Sequence, residues 1–93
     1  MFTKLKGVTF EGRQKNILEL QPEQKLKLKK SPNVFHSNAI LVTTLDDKEL
    51  GYISRTLADK IYNELKDNYY CKVVNITGKD IKGVNVYIKI NFQ

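Results

Sequence analysis

Two stretches decide how this chain is read: Ser31-Pro32-Asn33-Val34-Phe35-His36-Ser37-Asn38-Ala39-Ile40 and Gly51-Tyr52-Ile53-Ser54-Arg55. The first is a polar loop that runs directly into an apolar strand. The second is a strand end that runs directly into a helix. Residues 41–50 between them read as a hairpin, with Asp46-Asp47-Lys48 as its tight turn. Both places where the chain changes direction carry an aromatic side chain beside polar or basic groups. A binding site is expected where the two stretches meet.

Downstream, Ser54 stands where an N-cap is needed for the one clear helix, residues 55–66. Leu57, Ala58, Ile61, Tyr62 and Leu65 recur at helical spacing and give it one apolar stripe. Asp59 lies towards its start and Lys66 in its last turn, the order the helix macrodipole favours. Asp67-Asn68 stops it. Residues 69–76 are a β-rich run in which Val73 and Val74 are both apolar, an ambiguity that a bulge resolves. Gly78-Lys79-Asp80 reads as a turn. Residues 83–92 then alternate, with Val84, Val86, Ile88, Ile90 and Phe92 inward and Asn85, Tyr87, Lys89 and Asn91 outward.

Upstream, residues 3–10 read as a strand. Leu5, Gly7 and Thr9 share one face, and Lys4, Lys6, Val8 and Phe10 the other. Gly12 ends it. Residues 16–20 give a short apolar burst that suits a helical turn and a tucked loop equally. After the turn Gln21-Pro22-Glu23-Gln24, residues 25–29 alternate, with Leu26 and Leu28 inward and Lys25, Lys27 and Lys29 outward. That lysine row fits a phosphate track, and it fits a solvated face that keeps a sheet edge from pairing with neighbours, the commoner use. Residues 38–45 are the most apolar strand. Ile40 and Val42 share one face and Ala39 and Leu41 the other, which calls for cover on both sides.

The sum is mainly β with one principal helix, an α+β class. Short strands in a small chain remove their edges by curling into a partly closed barrel of OB-like or SH3-like form. A flatter α+β sheet is the alternative. The expected core is Leu26, Leu28, Ile40, Val42, Leu57, Ile61, Leu65, Val86, Ile88 and Ile90. At 93 residues the chain makes a single domain, residues 1–93.

The charge balance is basic, with 16 Lys and Arg against 10 Asp and Glu, net +6. That excess suits a polyanionic partner, and it also suits plain solubility. Cys71 is the single cysteine, so no internal disulfide forms, and its apolar surroundings make it a small hydrophobe. This usage fits a reducing, cytoplasmic setting. The N-terminal residues lack the apolar core of a signal peptide, and no apolar run approaches the roughly 18 residues of a membrane span.

Chemistry beyond binding finds no support in the residues. The lone His36 cannot build a Cys/His metal cluster. The carboxylates of Asp46 and Asp47 are explained by their turn. The glycines at 7, 12, 51, 78 and 83 follow no phosphate-loop spacing. No enzyme, cofactor or metal is expected. What remains is an aromatic and basic set: Phe10 with Lys4 and Lys6, Phe35 and His36 in the loop, and Tyr52 and Arg55 at the strand–helix junction. Aromatic faces stack on bases and arginine holds phosphate, which together suit a single-stranded nucleic-acid groove. Taken singly, Phe10 and Phe35 are better explained by core packing, and Tyr52 has the alternative of a core aromatic that snorkels its hydroxyl to solvent.

The two opening stretches resemble the HIRAN domain. The matching residues are Pro32, Asn33, Phe35 and Asn38-Ala39-Ile40, then Leu50-Gly51-Tyr52-Ile53, Arg55 and Leu57-Ala58. Gly7-Val8-Thr9-Phe10 is similar to the family's first strand. The resemblance runs from about residue 6 to residue 92 and implies an OB-like barrel that binds DNA. In fork-remodelling helicases such a domain captures the 3′ end of a single strand. It implies that Phe10 and Phe35 stack on bases, that Tyr52 and Arg55 meet phosphate, and that Asn33 lies near the strand end. His36 stands where the family usually has Asp, and Ser54 where it often has Pro. An imidazole has the opposite charge logic to a carboxylate, so a weaker preference for free 3′ hydroxyls is expected.

The reading is therefore a non-catalytic module for single-stranded DNA or DNA 3′ ends, in repair or fork processing, with a helicase or nuclease acting in trans. Its rival is a scaffold domain that takes peptide in the same groove.

Overall fold

The computed structural model describes residues 1–9, 12–78 and 85–92. Two three-stranded antiparallel sheets face each other across one core. The first has the order β1 (Phe2–Lys4), β6 (Asn85–Phe92), β5 (Tyr69–Thr77), and the second β2 (Leu26–Lys30), β3 (Ile40–Thr44), β4 (Glu49–Tyr52). A single bridge joins the sheets at each margin. Lys6 and Tyr52 exchange two backbone hydrogen bonds of 2.8 Å at one seam. Lys25 pairs with Lys72 at the other, where Val73 N–H donates to the Gln24 carbonyl at 2.9 Å. The result is the partly closed barrel expected from the alternation, with its edges covered at two narrow seams instead of full ladders.

The alternating strands behave as their sequences require. Val86, Ile88 and Ile90 are fully buried, and Tyr87 faces out. Every residue of β3 is buried, so its two apolar faces are both covered. The bulge expected in β5 is present. Its register with β6 shifts between Val73 and Asn75, which sends Val73 inward and Val74 out to solvent. Cys71 is buried opposite Ile90, and burial pushes its thiol up to about 12. Of the expected core, nine residues are buried and Leu57 is half-buried against the same cluster.

Two expectations need correction, and one open reading is decided. The first strand does not run over residues 3–10. β1 ends at Lys4, Leu5 bonds Val86, Lys6 crosses to Tyr52, and Gly7 turns the chain with φ 66°. A left-handed residue breaks strand alternation, so Val8 turns inward to join Leu5 instead of sharing a face with Lys6. The open reading of residues 16–20 divides: residues 16–18 close a helix, α1 (Arg13–Leu18), whose Ile17 is fully buried, and Glu19 and Leu20 follow its end. The principal helix is shorter than residues 55–66. α2 (Arg55–Ile61) tightens into a 3₁₀ turn at Tyr62–Glu64, and Leu65 is already extended. That turn drops Leu65 into the core and leaves room for Asn68 to accept from the Lys66 N–H at 3.1 Å before β5 begins. Phe10, the Lys79-Asp80 turn and Val84 lie outside the described residues. Among the described residues no helix is long and apolar enough to cross a membrane.

Candidate nucleic-acid interface

The loop between β2 and β3 is built on Asn33. Its Oδ1 accepts from the backbone N–H of both Phe35 and His36, each at 2.9 Å, and its own N–H donates to the His36 carbonyl at 3.1 Å. This Asn-centred turn bends the chain so that Val34 and Phe35 project into solvent, Phe35 at 85% exposure. An exposed phenyl ring is not packing in the core, so the structural explanation for Phe35 falls away.

The α2 end of the cleft is fixed by its cap. Ser54 Oγ accepts from the Leu57 N–H at 3.4 Å, as the sequence requires. The first turns of the helix then point Arg55 and Asp59 towards the loop. The Arg55 guanidinium donates to the Phe35 carbonyl. Asp59 Oδ1 lies 3.0 Å from His36 Nε2 and accepts from Asn38 Nδ2 at 3.1 Å. These two hydrogen bonds, from His36 first and Asn38 second, hold the Asp59 carboxyl below the usual carboxylate range. Loop and helix together enclose an open cleft of ≈ 630 Å³, lined by Asn33, Phe35, His36, Asn38, Arg55 and Asp59 among others.

Four of the six residues singled out from the sequence therefore converge: Asn33, Phe35, His36 and Arg55. Tyr52 is not among the residues lining the cleft. Its ring lies under the Arg13 guanidinium, 5.0 Å from centroid to Cζ, beside the Lys6 seam. Arg13 is itself buried at the start of α1, donating to the Gly7 carbonyl at 2.8 Å and to Glu49 Oε1 at 3.2 Å. Phe10 is outside the described residues.

Asp59 is the residue that sequence reasoning missed as part of the site. It was read only as a favourable charge near a helix start. The available signal was its spacing: one turn beyond Arg55, it shares that residue's helix face. Asn38, one of the matching residues of the loop, anchors it through its bond to Asp59. The cleft thus carries an exposed aromatic face, a guanidinium with donors to spare beyond its one carbonyl, and a carboxylate beside an imidazole. No group of His, Cys, Asp and Glu able to hold a metal ion occurs among the described residues.

The fold is shared with the crystal structure of a protein from Lactobacillus plantarum. The TM-score is 0.68 at 20% sequence identity, covering 97% of this chain and 91% of that one. No curated protein matches the chain. The HIRAN domain family model matches residues 2–93. The chain belongs to the HIRAN family, a family of nucleic-acid-binding modules.

Proposed function

We propose that the cleft between the β2–β3 loop and the start of α2 binds single-stranded DNA, taking the end of a strand, and that the domain acts by binding and not by catalysis. The observation that carries this reading is the convergence of Phe35, Arg55 and the His36–Asp59 pair in one open cleft. Phe35 offers a stacking platform for a terminal base. Arg55 is the cation for its phosphate. The His36–Asp59 pair supplies acceptor oxygens for a terminal hydroxyl, which replaces the acidic residue usual at the histidine's position. The resemblance to domains of fork-remodelling helicases supports a setting in repair or replication-fork processing, with a helicase or nuclease supplying the motor or the cut.

The test is fluorescence-polarisation titration with single strands whose 3′ ends are free or phosphorylated, over a salt series. Phe35→Ala is expected to weaken binding by about 1–3 kcal/mol through lost stacking. Arg55→Ala is expected to weaken it and flatten the salt slope by roughly one phosphate's worth. Peptide capture in the cleft would show little salt dependence. Binding that ignores both substitutions would remove the cleft from consideration.

A further inference from the structure

The strand registers set four outward side chains in one row across the barrel wall. Phe2 stands opposite Lys89, Lys89 opposite Lys72, and Lys72 opposite Lys25 across the seam. Like charges placed directly opposite one another destabilise a sheet. Three lysines in such a row, spanning about 10 Å at ordinary strand spacing, concentrate like charge on one face of the sheet. A single carboxylate offsets it among the described residues: Glu23 Oε2, 2.6 Å from Lys72 Nζ. The other two ammonium groups rest on aromatic rings, Lys89 5.5 Å from the Phe2 centroid and Lys25 5.6 Å from that of Tyr70. The neighbouring row repeats the chemistry, with Lys4 opposite Tyr87 and Tyr87 opposite Asn75. Phe2 is 69% exposed, and an open groove of ≈ 410 Å³ is lined by Phe2, Pro22, Glu23, Lys72, Val74 and Lys89.

We propose that this outer face of the β1–β6–β5 sheet is a second contact surface for single-stranded nucleic acid, built from Lys25, Lys72, Lys89 and the rings of Phe2, Tyr70 and Tyr87. It takes the same class of ligand as the loop cleft and shares no residue with it. Charge complementarity names a polyanion: a phosphate backbone laid along the row meets three ammonium groups set one strand apart. The interleaved rings narrow the choice to a single strand, because unpaired bases present the π-faces that a duplex keeps stacked inside. A strand held by its end in the cleft and by its backbone on the sheet has a longer footprint than the cleft provides alone.

The experiment uses the whole chain and oligothymidylates of about 6 and about 24 nucleotides, lengths that bracket the footprint of one small barrel. The Lys25→Gln/Lys89→Gln double variant is expected to bind the long strand about ten-fold more weakly, with a salt slope lower by about 1.4, two single-strand phosphates' worth. Its affinity for the short strand is expected to stay at the parent value. Its melting temperature is expected to stay at the parent's value, because both side chains lie on the outer face and away from the core, so a loss of binding is not a loss of fold. Phe2→Ala should act in the same direction on the long strand. Phe35→Ala separates the two surfaces. If it has no effect on either length while the double variant weakens the long strand more than the short one, the sheet surface stands and the cleft reading fails. An unchanged long-strand affinity in the double variant overturns the proposal. So does an equal loss on both lengths, and so does a variant that loses only sedimentation with phosphatidylserine-containing vesicles, which would make the face a lipid-binding one.

Discussion

His36 Nε2 lies 3.0 Å from Asp59 Oδ1, tying the tip of the β2–β3 loop to the first turns of α2. The two residues are 23 positions apart, and Asn38 shares the same carboxylate oxygen. The loop, bent by Asn33 and held by Arg55, is thus also tied to the helix through one exposed carboxylate.

The first prediction follows from the lowered carboxyl of Asp59. A carboxylate depressed on folding adds stability that is present above its unfolded value, about 3.9, and lost as pH falls through the lower folded value. The tie should therefore be intact from about pH 8 to 5 and be lost only below about pH 4. Amide exchange at Phe35 and His36 reports it directly. Asp59→Asn should raise exchange at both amides at neutral pH and abolish the acid transition. Parent-like protection in the variant would show that the loop holds itself.

His36→Asp is the second. The substitution restores the family's usual acidic residue, but it sets that carboxylate against Asp59 at the place of a hydrogen bond. Like charges at that separation repel, so His36→Asp should loosen the loop and bind single strands more weakly than His36→Asn does. A His36→Asp variant that binds single strands as tightly as His36→Asn does would rule this out.

Gly51 carries the third. A Cβ built there would sit 2.7 Å from the Lys6 carbonyl oxygen and 3.1 Å from Val8. The Lys6–Tyr52 seam needs the bare backbone at that point. Gly51→Ala should cost about 1–3 kcal/mol, the range for forcing extra atoms into a packed site. Denaturant melts measure it, and a loss under about 0.5 kcal/mol, the range of ordinary surface changes, would mean that the seam yields.

The fourth tests the helix stripe. Ile61 is 4% exposed at the end of α2, within the core cluster. Ile61→Ala should cost about 2–5 kcal/mol through lost burial and the cavity left behind. An unchanged melt would show that the core closes over the gap.

The sequence by itself determined which residues face inward and where the site's loop and helix begin. Strand period, turn chemistry and helix capping act over a few residues, so Val86, Ile88 and Ile90, the Val74 bulge and the Ser54 cap were all legible in their own neighbourhoods. Tertiary structure decided what local rules cannot reach. Gly7 broke the first strand because the chain had to leave one sheet at Leu5 and join the other at Lys6. Helix α2 tightened because Leu65 had to reach the core while the chain turned back into β5. Tyr52 went to Arg13 instead of the cleft, and Asp59 entered the cleft from a helix face, because packing between elements sets those partners. The lysine row on the outer sheet depends on the same cause. Lys25, Lys72 and Lys89 become neighbours only through strand register, a relation between segments that no single segment encodes.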